Sequence, residues 1–176
     1  MLPGDKTKKQ QIASMIRVNH AGEYGAKRIY LGQLDYIKDQ KAKEVITHMA
    51  SQEDVHLKYF EDEIVRRSIR PTILYPIWHI YGYALGAITA MLGTKAAMAC
   101  TEAVEEVIDE HYQEQLKFLA SDELELKEKI EKFRQEELEH KNIAIEYESS
   151  HARCYHFLSP LIKLSCKMAI RISKLL

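Results

Sequence analysis

The chain has 176 residues, 46% hydrophobic and 29% charged, with only 7 Gly and 4 Pro. That balance favours an all-α protein over a sheet protein or a disordered one, and the length suits a single domain, 1–176, with a substantial core. The formal net charge of −1 gives no overall field for nucleic acid, and no basic stripe with interleaved aromatics is present, so nucleic-acid binding is not expected.

Met1 to Gln11 is polar and lysine-containing without an apolar core, so it does not read as a secretory signal, and it is too short for a usual transit peptide. Four long segments follow, about 8–38, 40–68, 95–120 and 122–149, each with apolar residues at spacings of three and four, which predicts two helical hairpins. Each segment carries part of one pattern: Glu23, then Glu53-x-x-His56, then Glu105, then Glu137-x-x-His140. Glu23 and Glu105 are 82 residues apart, while Glu53 to Glu137 and His56 to His140 are both 84, so the sets behave as an internal repeat. Four carboxylates and two imidazoles in that order are what a ferritin-like four-helix bundle needs to hold two metal ions in its core.

The midpoints of the two acidic pairs locate the turns. One falls in Lys38-Asp39-Gln40 and the other at Ser121-Asp122-Glu123, an expected N-cap followed by acids. Each pair then sits about 15 residues, or ~22 Å, from its turn, which brings both to similar heights. A third Glu-x-x-His, Glu148 with His151, lies ~16 Å beyond Glu137 along the same helix face and lacks a matching upstream Glu, so it is expected to be a surface pair.

Between the hairpins, Pro71 to Thr94 contains no Asp, Glu, Lys or Arg and one histidine, His79. Such a run would nominate a transmembrane helix, yet one span would place the hairpins on opposite sides of a bilayer and divide the ligand set. A long apolar crossover between helices two and three is therefore expected, with Ile73, Leu74, Tyr75, Ile77, Trp78, Ile80, Leu85, Ile88, Met91 and Leu92 available to a membrane interface. Pro76, Gly82, Gly86 and Gly93 argue against one uninterrupted helix there. From Phe157 to Leu176, Lys163, Lys167, Arg171 and Lys174 recur opposite Leu161, Leu164, Met168, Ile172 and Leu175, predicting an extra basic amphipathic helix suited to anionic lipid or to packing on the bundle. Cys100, Cys154 and Cys166 are odd in number without C-x-x-C spacing and read as buried or idle thiols in a reducing compartment.

Carboxylates with one imidazole per metal and no thiolate favour iron or manganese over structural zinc. The three-residue step in Glu-x-x-His returns to nearly the same helix face, so the Glu can bridge two ions while the His binds one.

His20-Ala21-Gly22-Glu23-Tyr24-Gly25-Ala26 resembles the opening signature of the demethoxyubiquinone hydroxylase family. Ala97-Met98-Ala99-Cys100-Thr101 with Ala103-Val104-Glu105-Glu106, then Phe133-Arg134 and Glu136-Glu137-Leu138-Glu139-His140, resemble its later blocks, and the similarity runs from about Ile16 to the C-terminus. The resemblance implies a ferritin-like di-iron monooxygenase that hydroxylates the ring of a demethoxyubiquinol-type polyprenyl benzoquinol in ubiquinone biosynthesis, with dioxygen as co-substrate. It implies Glu23, Glu53, His56, Glu105, Glu137 and His140 as the iron ligands, with Glu53 and Glu137 bridging. Tyr24, His111 and Tyr112 are candidates for hydrogen bonding or proton delivery beside them. Electrons must come from elsewhere, since no G-x-G-x-x-G follows a strand; NADH, reducing the quinone directly, is a candidate source that the resemblance raises. Peripheral membrane contact is expected through 71–94 and 157–176, at the cytoplasmic face of a bacterial inner membrane or the matrix side of the mitochondrial one, with a ubiquinone-biosynthesis complex as a possible partner. The alternatives are a soluble ferritin-like ferroxidase, or a non-catalytic quinone-binding scaffold of the same fold.

Overall fold

The computed structural model describes residues 6–119 and 123–175. Six α-helices follow in chain order: α1 Lys8–Tyr36, α2 Gln40–Arg66, α3 Tyr75–Met91, α4 Thr94–Phe118, α5 Leu124–Glu146 and α6 Tyr155–Leu175. Thr7 opens α1 through a capping box with Gln10, and Asp39 opens α2 by accepting from the Lys41 and Ala42 amides at 3.0 and 3.1 Å, satisfying amide groups that a helix start leaves without partners. The first turn therefore falls at the expected place. Ser121 and Asp122 lie outside the described residues; Glu123, expected in the first turn, stands at the N-cap of α5 without a side-chain capping bond.

Four helices form a ferritin-like bundle, and cross-helix pairs give their directions. Asn19 meets Gln115 and Tyr30 meets Glu105, so α1 and α4 run antiparallel. Arg67 grips Glu123 while His56 meets Glu136 and Gln52 meets His140, so α2 and α5 do the same. Each hairpin is antiparallel by construction, which leaves α2 and α4 parallel across the diagonal. Two apolar clusters close the bundle ends: Ile16, Phe60, Leu126, Ile130 and Phe133 in one, Ile46, Met49, Ala97, Met98 and Ala144 in the other. Along every helix the six Glu and His of the repeat fall between those clusters.

The apolar middle segment is one continuous helix, α3, contrary to the interruption expected from its glycines. Pro76 stands in the first turn, where a missing N–H costs nothing, and Gly93 (φ 112) lies past the end, before α4. Gly82 and Gly86 are inside the helix because α3 packs backbone-close on α1: a Cβ on Gly86 would collide with the Ile29 carbonyl, and one on Gly32 with the Tyr83 carbonyl. Gly86→Ala is expected to lower stability by about 2 kcal/mol from overpacking, against the ~1 kcal/mol that Ala ordinarily contributes to a helix. Gly25→Ala, whose methyl meets nothing within 4 Å, should leave the melting temperature level or raised. Paired thermal melts check both signs.

The last helix lies on the bundle in an unexpected rotation. Lys163 and Lys167 are turned to α4, pairing with Glu106 at 2.7 Å and Glu110 at 2.9 Å, while Ile162 is buried and Phe157, Leu161, Leu164 and Met168 face outward. Two of the four cations expected to serve anionic lipid are thus engaged by bundle carboxylates, and the exposed side mixes these apolar residues with Arg171. Among the described residues, no helix is long and apolar enough to cross a membrane. Cys100 is buried, but Cys154 is exposed at a positive φ of 62 just before α6 rather than packed within a helix.

Candidate metal centre

Each segment of the repeat delivers its residues to the bundle axis. Glu23 on α1, Glu53 and His56 on α2, Glu105 on α4, and Glu137 and His140 on α5 are all buried. They form two overlapping sets, Glu23, Glu53, His56 and Glu137, and Glu53, Glu105, Glu137 and His140. Within each set, one ligand atom per residue lies within 4.8 Å of the others. Only Glu53 and Glu137 belong to both. The two Glu137 oxygens face different histidines, Oε1 at 3.2 Å from His56 Nδ1 and Oε2 at 3.2 Å from His140 Nδ1, and Glu53 Oε1 reaches 3.4 Å from His140 Nδ1.

These groups fit a cation better than they fit one another. Both oxygens of Glu53 are buried without a hydrogen-bond partner, and the close pair Glu137 Oε2 and His140 Nδ1 is out of hydrogen-bond alignment. Burial, then the charges of Glu137 and Glu23, lifts Glu53 well above the usual carboxylate range, and burial with Glu137 and Glu53 does the same to Glu105. Burial would also lift Glu137, but His140 and His56 beside it bring it down to about 2. Burial would lower His56, yet Glu137 and Glu23 hold it up to about 12. So many ionisable groups at one buried point are costly unless a metal ion replaces the protons they otherwise share.

Around this centre the structure adds residues that spacing alone did not single out. Tyr30 donates to Glu105 at 2.9 Å, and Tyr112 donates to Glu23. His56 Nε2 lies 2.8 Å from Glu136 Oε2, and His140 Nε2 lies 3.0 Å from Gln52 Oε1. A carboxylate or an amide carbonyl oxygen accepts, so each imidazole donates from Nε2 and turns Nδ1 to the centre. A signal for these partners was present: Tyr30 and Tyr112 are 82 residues apart like Glu23 and Glu105, and Gln52 and Glu136 are 84 apart like Glu53 and Glu137.

The three other candidates separate. Tyr112 touches the buried Glu23 carboxylate, as above. His111 is turned aside to Gln115, 2.7 Å away, and burial with Lys174 nearby pushes it down to about 4. Tyr24 meets α3 instead, bonded to His79 Nδ1 at 2.5 Å and stacked on Tyr75 at 3.9 Å. Glu148 and His151 are both exposed, and Glu148 pairs with Lys95 at 2.7 Å, a surface arrangement as expected.

Beside the centre runs a narrow apolar cleft of about 80 Å³ between α1, α3, α4 and α6. Gly22 and Val104 line it, each immediately before a carboxylate of the centre, and Gly25, Leu85, Ile108 and Cys166 continue the wall. Trp78 also lines it, and its indole N–H is buried without an acceptor.

Comparison with known proteins gives the same family that the sequence blocks resemble. A 3-demethoxyubiquinol 3-hydroxylase of Rhodospirillum rubrum is 48% identical over 98% of this chain and 82% of the relative. The human NADPH-dependent 3-demethoxyubiquinone 3-hydroxylase, mitochondrial, is 43% identical over 97% of this chain and 80% of its own length. The yeast 5-demethoxyubiquinone hydroxylase, mitochondrial, is 39% identical over 89% and 74%. The family model described as ubiquinone biosynthesis protein COQ7 matches residues 10–173, and the chain belongs to that family.

Proposed function

We propose that this protein hydroxylates the ring of a demethoxyubiquinol-type polyprenyl benzoquinol in ubiquinone biosynthesis, holding two iron ions between Glu23, Glu53, His56, Glu105, Glu137 and His140. The observation that carries this is the pair of buried four-residue sets sharing Glu53 and Glu137. The hydroxylase names of relatives covering nearly the whole chain agree with it. When bound, the two irons supply the reduction of dioxygen that places one oxygen atom on the ring and releases the other as water. The chain's own residues do the rest. Tyr30 and Tyr112 hold Glu105 and Glu23 through hydrogen bonds, and both phenols are held protonated by burial and then by those carboxylates, so they keep the centre's outer oxygens in place.

The apolar cleft is the route we assign to the substrate. It has ~80 Å³ of space, whereas pockets for drug-sized ligands run to roughly 300–1,000 Å³, so α3 and α6 must part to admit a ring and its tail. The Trp78 indole N–H, buried without an acceptor in a residue of this wall, is the donor we assign to a quinol oxygen once the cleft has opened. Trp78→Phe is expected to raise KM about three- to tenfold with iron content unchanged, the worth of one hydrogen bond; steady-state kinetics on detergent-dispersed substrate checks this.

On either side of the cleft the surface is apolar, with Ile80 71% exposed on α3 and Phe157 81% and Leu161 65% exposed on α6. A patch of this kind suits peripheral contact with a bilayer from which a polyprenyl substrate is drawn. Nicotinamide dinucleotide is the reductant we assign, extending to this chain the NADPH dependence in several relatives' names. Complementation tests the whole proposal. In a strain that accumulates demethoxyubiquinone, expression should restore ubiquinone by quinone mass; continued accumulation beside folded, iron-loaded protein would overturn it.

A further inference from the structure

The internal repeat gives the two histidines matching hydrogen-bond partners, although His56 packs on Phe133 and His140 on the edge of Tyr30, and among those partners one departure stands out. Gln52 precedes Glu53 on α2 and Glu136 precedes Glu137 on α5, 84 residues later. Each receives the Nε2 hydrogen of the other helix's histidine: Glu136 that of His56 at 2.8 Å, Gln52 that of His140 at 3.0 Å. Both acceptors are half-buried at matching places in the bundle. One is a carboxylate and the other a neutral amide. Glu136 keeps Oε2 for His56 while Oε1 lies 3.5 Å from Lys132, an exposed lysine whose charge is largely screened by water.

We infer that Gln52 and Glu136 make the two metal positions unequal, so that the set containing His56 binds its ion first and more tightly and the set containing His140 is the weaker one. An imidazole donating to a carboxylate is a more basic ligand than one donating to an amide, because partial transfer of the Nε2 proton moves electron density toward Nδ1. Changes to such outer partners typically move metal affinity about 10- to 100-fold, so one charge difference is enough to order the loading. Gln52 and Glu136 act as positioning residues through the histidines. The inference rests on the six residues being metal ligands.

Anaerobic cobalt(II) titration of the full chain, followed by visible absorption and calorimetry, tests both together. Wild type should take up two ions in two resolved steps. Glu105→Ala removes a residue found only in the His140 set, and Glu23→Ala one found only in the His56 set, so each isolates one position. Adding Glu136→Gln to Glu105→Ala should weaken cobalt(II) about tenfold or more, and adding Gln52→Glu to Glu23→Ala should strengthen it by a similar factor. The exchange Gln52→Glu with Glu136→Gln in the otherwise intact chain should invert the order of filling, which a purely structural role for either residue would not do. Two equal sites, or an order unchanged by the exchange, overturn the inference while leaving the metal centre intact. Folded wild-type protein that takes up no cobalt(II) overturns the metal centre and the inference with it.

Discussion

Glu137→Ala is expected to empty both metal positions and abolish ring hydroxylation, whereas Glu148→Ala changes neither. Both residues begin a Glu-x-x-His on the C-terminal half of the chain, and the environment separates them. Glu137 is 1% exposed and aims one oxygen at each histidine of the centre. Glu148 is exposed, in the left-handed region at φ 58, and its partner is Lys95 on the surface. Because Glu137 belongs to both four-residue sets while Glu23 and Glu105 each belong to one, the losses should be graded. Glu137→Ala should carry close to no iron, and Glu23→Ala or Glu105→Ala about one ion per chain with strongly reduced turnover. Iron by plasma emission and quinone by mass, measured on the same preparations, give the comparison. Equal loss from Glu137→Ala and Glu148→Ala would show that the wrong Glu-x-x-His had been assigned to the centre. Stability adds an independent reading. Removing Glu137 takes a negative charge from beside Glu53 and Glu105 but leaves His56 and His140 without their common partner, so the metal-free variant should melt no higher than wild type.

The hairpins and the burial of the six Glu and His of the repeat together could be read in the chain because they depend on spacing. A carboxylate repeat in register on four periodic segments has few geometric solutions, and the first turn follows from its midpoint. What escaped were features set by packing between helices. Gly82 and Gly86 look like helix breakers when each is judged for its own backbone freedom. In the fold they allow α3 to lie against α1 at the Ile29 carbonyl, and the helix continues through them. On α6 the expected opposition of a basic and an apolar face is not kept: Lys167 and Arg171 are exposed beside Leu164 and Met168, while Ile162 and Ser173 are buried, because periodicity carries no information about which residues meet the bundle. Glu106 and Glu110 on α4 pair with Lys163 and Lys167 along the edge of that contact. Tyr30 was missed although it stands in the same relation to Tyr112 as Glu23 does to Glu105, since an internal repeat sought only among ligating residue types excludes the phenols. Tyr24, inside the most distinctive sequence block, turned out to serve the α1–α3 contact through His79 and Tyr75.

Gly25→Leu is expected to lower kcat/KM for the polyprenyl substrate about 100-fold while leaving two irons per chain. Gly25 is two residues from Glu23 and lines the cleft, and a Cβ added there meets nothing within 4 Å. The open space that makes Gly25→Ala harmless to stability is the space that a longer side chain would fill. Leu projects an isobutyl group into a cleft of about 80 Å³, and in apolar pockets a single misplaced methylene already changes discrimination about 10- to 200-fold. The buried Glu and His cluster should be unaffected, because Glu23 lies among those buried groups while Gly25 lines the cleft toward α3 and α6. Iron content and melting temperature therefore serve as controls within the same experiment. Activity that survives Gly25→Leu with normal KM would mean that the ring reaches the centre by another path, and the assignment of the cleft to the substrate would fail while the metal centre stood. Loss of iron together with activity would instead place Gly25 among the residues that shape the ligand set. Activity lost with iron and stability retained supports the cleft between α1, α3, α4 and α6 as the path of the ring to the buried carboxylates.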